Sequence, residues 1–262
     1  MYSKKKFYGV ICFVLIIFMV NNASGDQIIL VADEWCPYNC NPQSKDKGYM
    51  VDLATQILGE SGHTVKYMAI NWSRSIIKSR EGEYNGIIGA SKAEAPDFIF
   101  PNEHLGIANN HFWVKKGDPW RFKGIKSLKN RWLGVIQHYD YGKELGDYIK
   151  KNEGKFAVQI RAGDDALDIL IRKLAHGRIN TLNEDKNVFM YKIKMLKQTN
   201  MFEDAGHDLT PVEANYIYVA FSPFFLKKST KYAKILNEGL IKYRKNGKLQ
   251  KILSTYGLTD WK

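Results

Sequence analysis

Ten polar and aromatic side chains that could hold a small solute follow the carboxyl ends of predicted β-strands. They are Trp35, Tyr38, Trp72, Arg74, Ser91, Lys92, Tyr139, Tyr141, Glu184 and Asp185. In an open α/β sheet, ligands bind at the carboxyl ends of the strands. These side chains are therefore expected to converge on one cleft, in which the aromatic rings stack against the solute or form the walls around it.

The charged members of this set predict which groups the solute carries. Arg74, Lys92 and the free N–H groups of the helix that starts at Tyr141 would hold a negative group. Of Glu184 and Asp185, one would face the cleft and hold a positive group, and the other would cap the following helix. Each side chain also has a structural alternative: the cations as solvated surface charges, and the tryptophans as packing residues.

The sequence gives little support to an enzyme. It contains no phosphate-binding loop, no G-x-S-x-G and no H-E-x-x-H motif. The six histidines are dispersed, and the sequence pairs no Ser or Cys nucleophile with His138. We therefore predict a binding protein without catalytic residues, cofactor or metal site.

The N-terminus has the pattern of an export signal. Lys4–Lys6 precede an apolar run of 14 residues, Phe7–Val20, and the small residues 23–25 follow. A membrane-spanning helix needs about 20 apolar residues, so cleavage after Gly25 is expected and an uncleaved anchor is the alternative. Residues 1–25 are thus predicted to be a signal peptide, and the mature chain is predicted to be periplasmic.

Two of the three cysteines lie in the run Trp35-Cys-Pro-Tyr-Asn-Cys40, and Cys12 would leave with the signal peptide. An even number of cysteines in an oxidising compartment favours a disulfide between Cys36 and Cys40. Their C-x3-C spacing is one residue longer than a redox C-x-x-C, and no second Cys or His pair stands nearby to complete a zinc site. The disulfide would fix the poses of Trp35 and Tyr38. Redox and metal roles, and the oxidation state in the cell, stay open.

The chain is basic, but its charge is dispersed. Its formal charge is +12, and removal of Lys4–Lys6 with the signal peptide would leave +9. Such an excess is compatible with nucleic acid, an anionic surface or an acidic ligand. Export disfavours nucleic acid, and the lysines do not form one stripe. We expect a solvated basic surface on a monomer that binds a small molecule.

Hydrophobic periodicity divides the mature chain into two successive α/β series. The predicted strands are 28–32, 64–70, 84–89, 111–115, 133–136, 157–160, 179–182 and 216–221. The predicted helices are 49–60, 72–80, 141–151, 164–175, 185–197, 230–245 and 248–256. The β-α-β-α-β order of the first series is typical of an open, mostly parallel sheet.

Several strings along the chain together resemble the family 3 extracellular solute-binding proteins, the amino-acid-type receptors of ABC importers. The strings are Gly48-Tyr-Met-Val-Asp52, Gly82-Glu-Tyr-Asn-Gly86, Leu128 with Leu133-Gly-Val-Ile136, Leu170 to Leu182, and Lys245-Asn-Gly-Lys248 with Ile252 and Tyr256-Gly257. Each string is weak alone, but their order and spacing are more specific, and the resemblance covers nearly all of the mature chain.

The resemblance implies a two-lobed α/β fold of the type II periplasmic-binding-protein kind. Two open sheets would be joined by two crossover strands, with the ligand cleft between them. Lobe one would be residues 26–114 plus 222–262, and lobe two residues 115–221. The implied function is to present a small polar or anionic solute to the permease of an ABC importer. The alternatives are a partner of a membrane signalling receptor and a dehydratase of cyclic acids, which would need a general acid and base in the cleft.

One segment departs from the family pattern. The family's amino-acid receptors carry S-x-T-x-x-R after the third strand, and this arginine clamps a carboxylate of the solute in a bidentate fork. Here the stretch is Gly89-Ala-Ser-Lys-Ala-Glu-Ala-Pro-Asp97, and no arginine occurs between Arg80 and Arg121. Lys92 supplies charge without the planar fork. An ordinary α-amino acid is therefore not the expected ligand.

Overall fold

The computed structural model describes residues 25–207 and 212–262, and within them ten strands form two five-stranded sheets. The first sheet has the order β2-β1-β3-β10-β4, and its strands are β1 (Gln27–Ala32), β2 (Thr64–Ala69), β3 (Gly86–Ala90), β4 (Gly106–Ile107) and β10 (Tyr216–Phe221). The second has the order β7-β6-β8-β5-β9, and its strands are β5 (Asn110–Lys115), β6 (Leu133–Ile136), β7 (Val158–Arg161), β8 (Thr181–Asp185) and β9 (Phe202–His207). Apart from Gly25, the predicted signal peptide lies outside the described residues.

Seven α-helices accompany the sheets in the described part of the chain. They are α1 (Tyr49–Glu60), α2 (Trp72–Arg80), α3 (Gly142–Asn152), α4 (Ala166–Ala175), α5 (Lys186–Met195), α6 (Leu226–Lys245) and α7 (Lys248–Thr255). None of these helices is long and apolar enough to cross a membrane. The predicted bounds of α1 and α2 are confirmed, because both segments have a continuous helical spacing of apolar residues.

Both sheets are mixed and carry helices on both faces. In β1, Ile28 and Leu30 belong to the hydrophobic cluster that contains the buried residues of α1, whereas Val31 packs on the opposite face with Ile76 of α2. This alternation follows from the two-residue period of a strand. The parallel pairs β1–β2, β1–β3, β6–β7 and β6–β8 are extended by antiparallel pairs of β10 with β3 and of β5 with β8.

The terminal helices pack on α1, so the end of the chain returns to the first sheet. Gly239 of α6 makes this approach possible, because a Cβ there would lie 2.1 Å from Cγ2 of Ile57. The hydroxyl of Tyr243 donates to Oε1 of Glu60 at 2.8 Å.

Strand pairing corrects the sequence predictions at several places. Because β5 pairs with β8 and β9, it belongs to the second sheet, although the predicted boundary at residue 114 placed it in lobe one. Because β10 pairs with β3, it belongs to the first sheet, although the boundary at 221 placed it in lobe two.

The predictions omitted β4, which has only two residues, and β9, whose sequence FEDAGH lacks strand-like alternation. They also ended the strand at residue 182, whereas β8 continues to Asp185.

Candidate functional site

A cavity of about 100 Å³ lies between the two sheets. It is bounded by the segments that follow β1, β3 and β6, and by the starts of β5 and β10. Five predicted site residues line it: Trp35, Trp72, Ser91, Tyr139 and Tyr141. The rule that ligands bind beyond the carboxyl ends of strands therefore located the cavity from sequence.

The loop after β1 carries two aromatic residues, Trp35 and Tyr38, and a disulfide closes part of this loop. A disulfide joins Cys36 to Cys40, and the rings of Trp35 and Tyr38 stack within this loop with centroids 4.3 Å apart. Both rings are buried, so the loop contributes to the core as well as to the cavity. Tyr38 itself does not line the cavity, because its hydroxyl lies against Asp185 and Asn187.

Direct hydrogen bonds join the segments of the first sheet to those of the second. Nε1 of Trp35 donates to Oε1 of Glu184 at 3.0 Å, and the hydroxyl of Tyr38 donates to Oδ2 of Asp185 at 3.2 Å. On another side of the cavity, the hydroxyl of Tyr139 donates to Oδ2 of Asp33 at 2.6 Å. Ser91 Oγ bonds to Asp140 at 3.1 Å, and Ser73 contacts His138. The structure is therefore a closed one.

Glu184 and Asp185 have structural partners at the end of β8. Asp185 caps α5, because its Oδ1 accepts from the N–H of Val188 at 3.0 Å. Oε1 of Glu184 accepts from Trp35 and from the N–H of Asp185, while its Oε2 has no partner among the described residues. Burial raises the pKa of Glu184 to about 8 and that of Asp185 to about 6. Neither residue lines the cavity; Asn183, one or two positions earlier, does.

Within the described residues, three other carboxyl groups line the cavity itself. Burial raises the pKa of Asp33 to about 6, although the Tyr139 hydroxyl stabilises its ionised form. Burial likewise raises the pKa of Glu94 to about 7, against the stabilising N–H of Ser91. The third is Asp140, whose charge raises the pKa of Glu94 further. The cavity wall is therefore acidic.

Two buried amides in the cavity wall have polar atoms without a hydrogen-bond partner in the described part of the chain. They are Asn183, through both Oδ1 and Nδ2, and Asn39, through Oδ1. Each side chain is 1% exposed. A buried polar group without a partner costs about 1–3 kcal/mol, so these atoms are the strongest indication of where a solute would be bound.

The structure does not bring the predicted anion-holding groups to the cavity. Arg74 is exposed on the outer face of α2, and Lys92 is exposed with its Nζ 5.3 Å from the centroid of the Tyr218 ring. At the helix start after Tyr141, the N–H of Gly142 already donates to Oδ1 of Asp140 at 2.8 Å. The Tyr141 hydroxyl turns back to the backbone of Ile136, so this residue contributes its ring to the wall.

Several cavity residues were absent from the predicted site. Asn183 directly follows the predicted strand end at residue 182, but the acidic residues after it, Glu184 and Asp185, were chosen as the ligand contacts. Asn39 lies within the cysteine loop, from which only the aromatic residues Trp35 and Tyr38 were predicted to contact the ligand. Glu94 did have a sequence signal, because it stands three residues after Ser91, the offset at which the family pattern places its arginine after threonine.

Comparison with known proteins identifies the family. Residues 28–259 match the model of the bacterial extracellular solute-binding proteins, family 3. The chain belongs to this family. The match extends through both sheets and the terminal helices, which confirms the resemblance seen in the sequence strings. No curated relative matches the chain by sequence.

Solved structures share the two-lobed fold at low sequence identity. A Streptococcus mutans protein described in work on glutathione import superposes with a TM-score of 0.74 at 18% identity, covering 90% of this chain and 96% of that one. A histidine kinase sensor domain gives 0.72 at 20% identity, covering 90% and 99%. An amino acid ABC transporter substrate-binding protein from Streptococcus pneumoniae gives 0.68 at 15% identity, covering 88% and 94%. The type II periplasmic-binding-protein fold is thereby confirmed.

Proposed function

We propose that the chain is a periplasmic receptor that captures a small polar solute between its two lobes and presents it to the permease of an ABC importer. Membership of the solute-binding family supports the binding role. The S. pneumoniae neighbour, an ABC transporter substrate-binding protein bound to L-arginine, supports the importer role. The main support for a binding site in the cavity is Asn183. Its buried amide lies in the cavity wall and has no hydrogen-bond partner among the described residues.

The two sheets suggest how the lobes divide. We propose that residues 26–107 and 216–262 form the first lobe and that residues 110–207 belong to the second, with the chain crossing between β4 and β5. The solute would enter when the lobes separate, since the bonds of Trp35 to Glu184 and of Tyr139 to Asp33 hold the cavity closed. Binding would favour the closed form, which a membrane partner can recognise by its shape.

A ligand screen on the mature chain, residues 26–262, tests this function. A solute that binds only the folded protein raises its unfolding temperature, and calorimetry then gives the stoichiometry. We expect one site per chain. Asn183→Ala should weaken binding by roughly 5- to 100-fold, which corresponds to about 1–3 kcal/mol, whereas the exposed Asn200→Ala should leave binding unchanged. Equal affinity of native chain and Asn183→Ala would contradict the proposed site.

A sensing role is the second candidate, because a histidine kinase sensor domain shares the fold over 90% of this chain. In that case the closed form would dock onto a membrane receptor instead of a permease. Deletion of the gene separates the two roles. Loss of solute uptake would support the importer, and intact uptake with loss of a solute-induced kinase or cyclase response would support the sensor.

A further inference from the structure

The charge of the cavity wall limits what can bind there. The wall contains the carboxyl groups of Asp33, Glu94 and Asp140. It includes no Lys, Arg or His side chain among the residues that the structure describes. An anionic solute would enter a site of like charge from which much of the water is excluded, and such an approach is unfavourable.

Two backbone donors at the cavity are already used by carboxyl groups of the chain. The N–H of Ser91 donates to Oε2 of Glu94 at 2.8 Å, and the N–H of Gly142 donates to Oδ1 of Asp140 at 2.8 Å. The second of these donors lies at the start of α3, and a helix start favours anions. The chain's own carboxyl groups already occupy both donors.

The unpartnered amide atoms point to a solute that donates hydrogen bonds. Oδ1 of Asn39 and Oδ1 of Asn183 accept no hydrogen bond within residues 25–207 and 212–262, although both side chains are buried in the cavity wall. Oδ1 atoms are acceptors, and an ammonium group has only donors to offer them. Nδ2 of Asn183 adds a single donor to the same wall.

The aromatic residues fit the same class of ligand. The rings of Trp35, Trp72 and Tyr139 line the cavity beside the carboxyl groups, and a cation close to the face of such a ring is attracted by its quadrupole. The cavity of about 100 Å³ has room for a small solute.

We propose that the solute is a small organic cation, whose ammonium group is held between Glu94, Asp33 and the amide of Asn183 and which needs no carboxylate for recognition. This proposal rests on the proposed receptor function and names the chemical class of its ligand. It differs from the amino-acid receptors in that an acid stands where their pattern has an arginine.

The test compares amines with carboxylates of the same carbon skeleton. The probes are propylamine against propionate, 1,3-diaminopropane against malonate, and the zwitterion β-alanine, each measured by calorimetry on the mature chain at pH 8. We expect an amine to bind at least roughly tenfold more tightly than its matched carboxylate and than β-alanine. Glu94→Gln should weaken amine binding at least roughly tenfold, and the exposed Glu153→Gln should leave it unchanged.

A pH series on the native chain gives a second readout that needs no variant. Burial raises the pKa of Glu94 to about 7, and Asp140 and Tyr141 face it from the second lobe. A cation binds the ionised form, so amine affinity should fall as the pH is lowered from 8 to 6. Constant affinity over this range would contradict a role for Glu94 in binding the cation.

The remaining outcomes separate the ligand class from the receptor function. If carboxylates or β-alanine bind as tightly as the amines, and Asn183→Ala still weakens them, the cation class is overturned and the receptor stands. If no amine binds while another solute does, the cation class is overturned in the same way. If no solute of any class binds, the receptor function fails as well.

Discussion

The buried carboxyl group of Glu184 should make the free protein less stable as the pH rises. Its side chain is 2% exposed, Oε1 accepts from Trp35 and from the N–H of Asp185, and Oε2 has no partner among the described residues. Glu184→Gln keeps an acceptor for both donors but cannot ionise. The substitution therefore isolates the cost of a buried negative charge in the closed form.

The magnitude follows from the pKa. Burial raises the pKa of Glu184 from 4.5 to about 8, so between these values the unfolded chain is ionised while the folded chain keeps its proton. The folded state then binds more protons than the unfolded state, and the free energy of unfolding must fall with rising pH. At about 1.4 kcal/mol per pH unit, the loss is on the order of 4 kcal/mol by pH 8.

Urea unfolding at pH 5 and pH 8.5 measures this difference directly. At pH 5 the native chain and Glu184→Gln should be similar, and at pH 8.5 the variant should be more stable by several kcal/mol with an unchanged m-value. Asp33, Asp185 and Glu94 also have raised pKa values, but they are present in both proteins, so their effect on the free energy of unfolding cancels in the difference. Glu153→Gln is the exposed control. Parallel pH curves for the native chain and Glu184→Gln would show that the group is hydrated in the free protein, which would refute a closed free form.

Two further substitutions test how the cavity is held. Replacing Cys36 and Cys40 by serine should lower the free energy of unfolding by about 2 kcal/mol, the cross-link entropy of a five-residue loop, in urea titrations of the oxidised native chain and the double variant. An unchanged midpoint would argue against the disulfide. Tyr139→Phe removes the 2.6 Å bond to Asp33, so it should enlarge the radius of gyration in solution scattering and weaken solute binding by roughly tenfold. A variant that stays closed and binds normally would contradict this role.

The sequence predicted much of the fold, because buried elements carry their own periodicity. Helices α1 and α2 and strands β6 and β10 have the predicted bounds, since each has uninterrupted apolar residues at helical or strand spacing. Strands and their sheet partners were mispredicted where main-chain hydrogen bonds, and not the side-chain pattern, determine the pairing. Strand β9 is joined to β5 through main-chain bonds while most of its side chains are polar, and no local signal revealed which sheet β5 and β10 would join.

The position of the cavity was more predictable than the charge of its wall. Trp35, Trp72 and Tyr139 line the cavity because strand ends meet at one edge of a sheet. Arg74 and Lys92 are close in sequence to these residues, but Arg74 is exposed and Lys92 lies beside Tyr218 in a second cavity, and sequence order does not specify these directions. The significance of Asn183 depends on its unpartnered atoms, which only the three-dimensional arrangement reveals.

A crystal structure of the complex would show whether a solute is held between the two lobes. The mature chain would be crystallised with the solute that gives the largest increase in unfolding temperature. We expect electron density for this solute between Trp72 and Asn183, with a polar atom within hydrogen-bond distance of the Asn183 amide. Density on an outer surface of either lobe, with the cavity filled only by water, would contradict binding between the lobes.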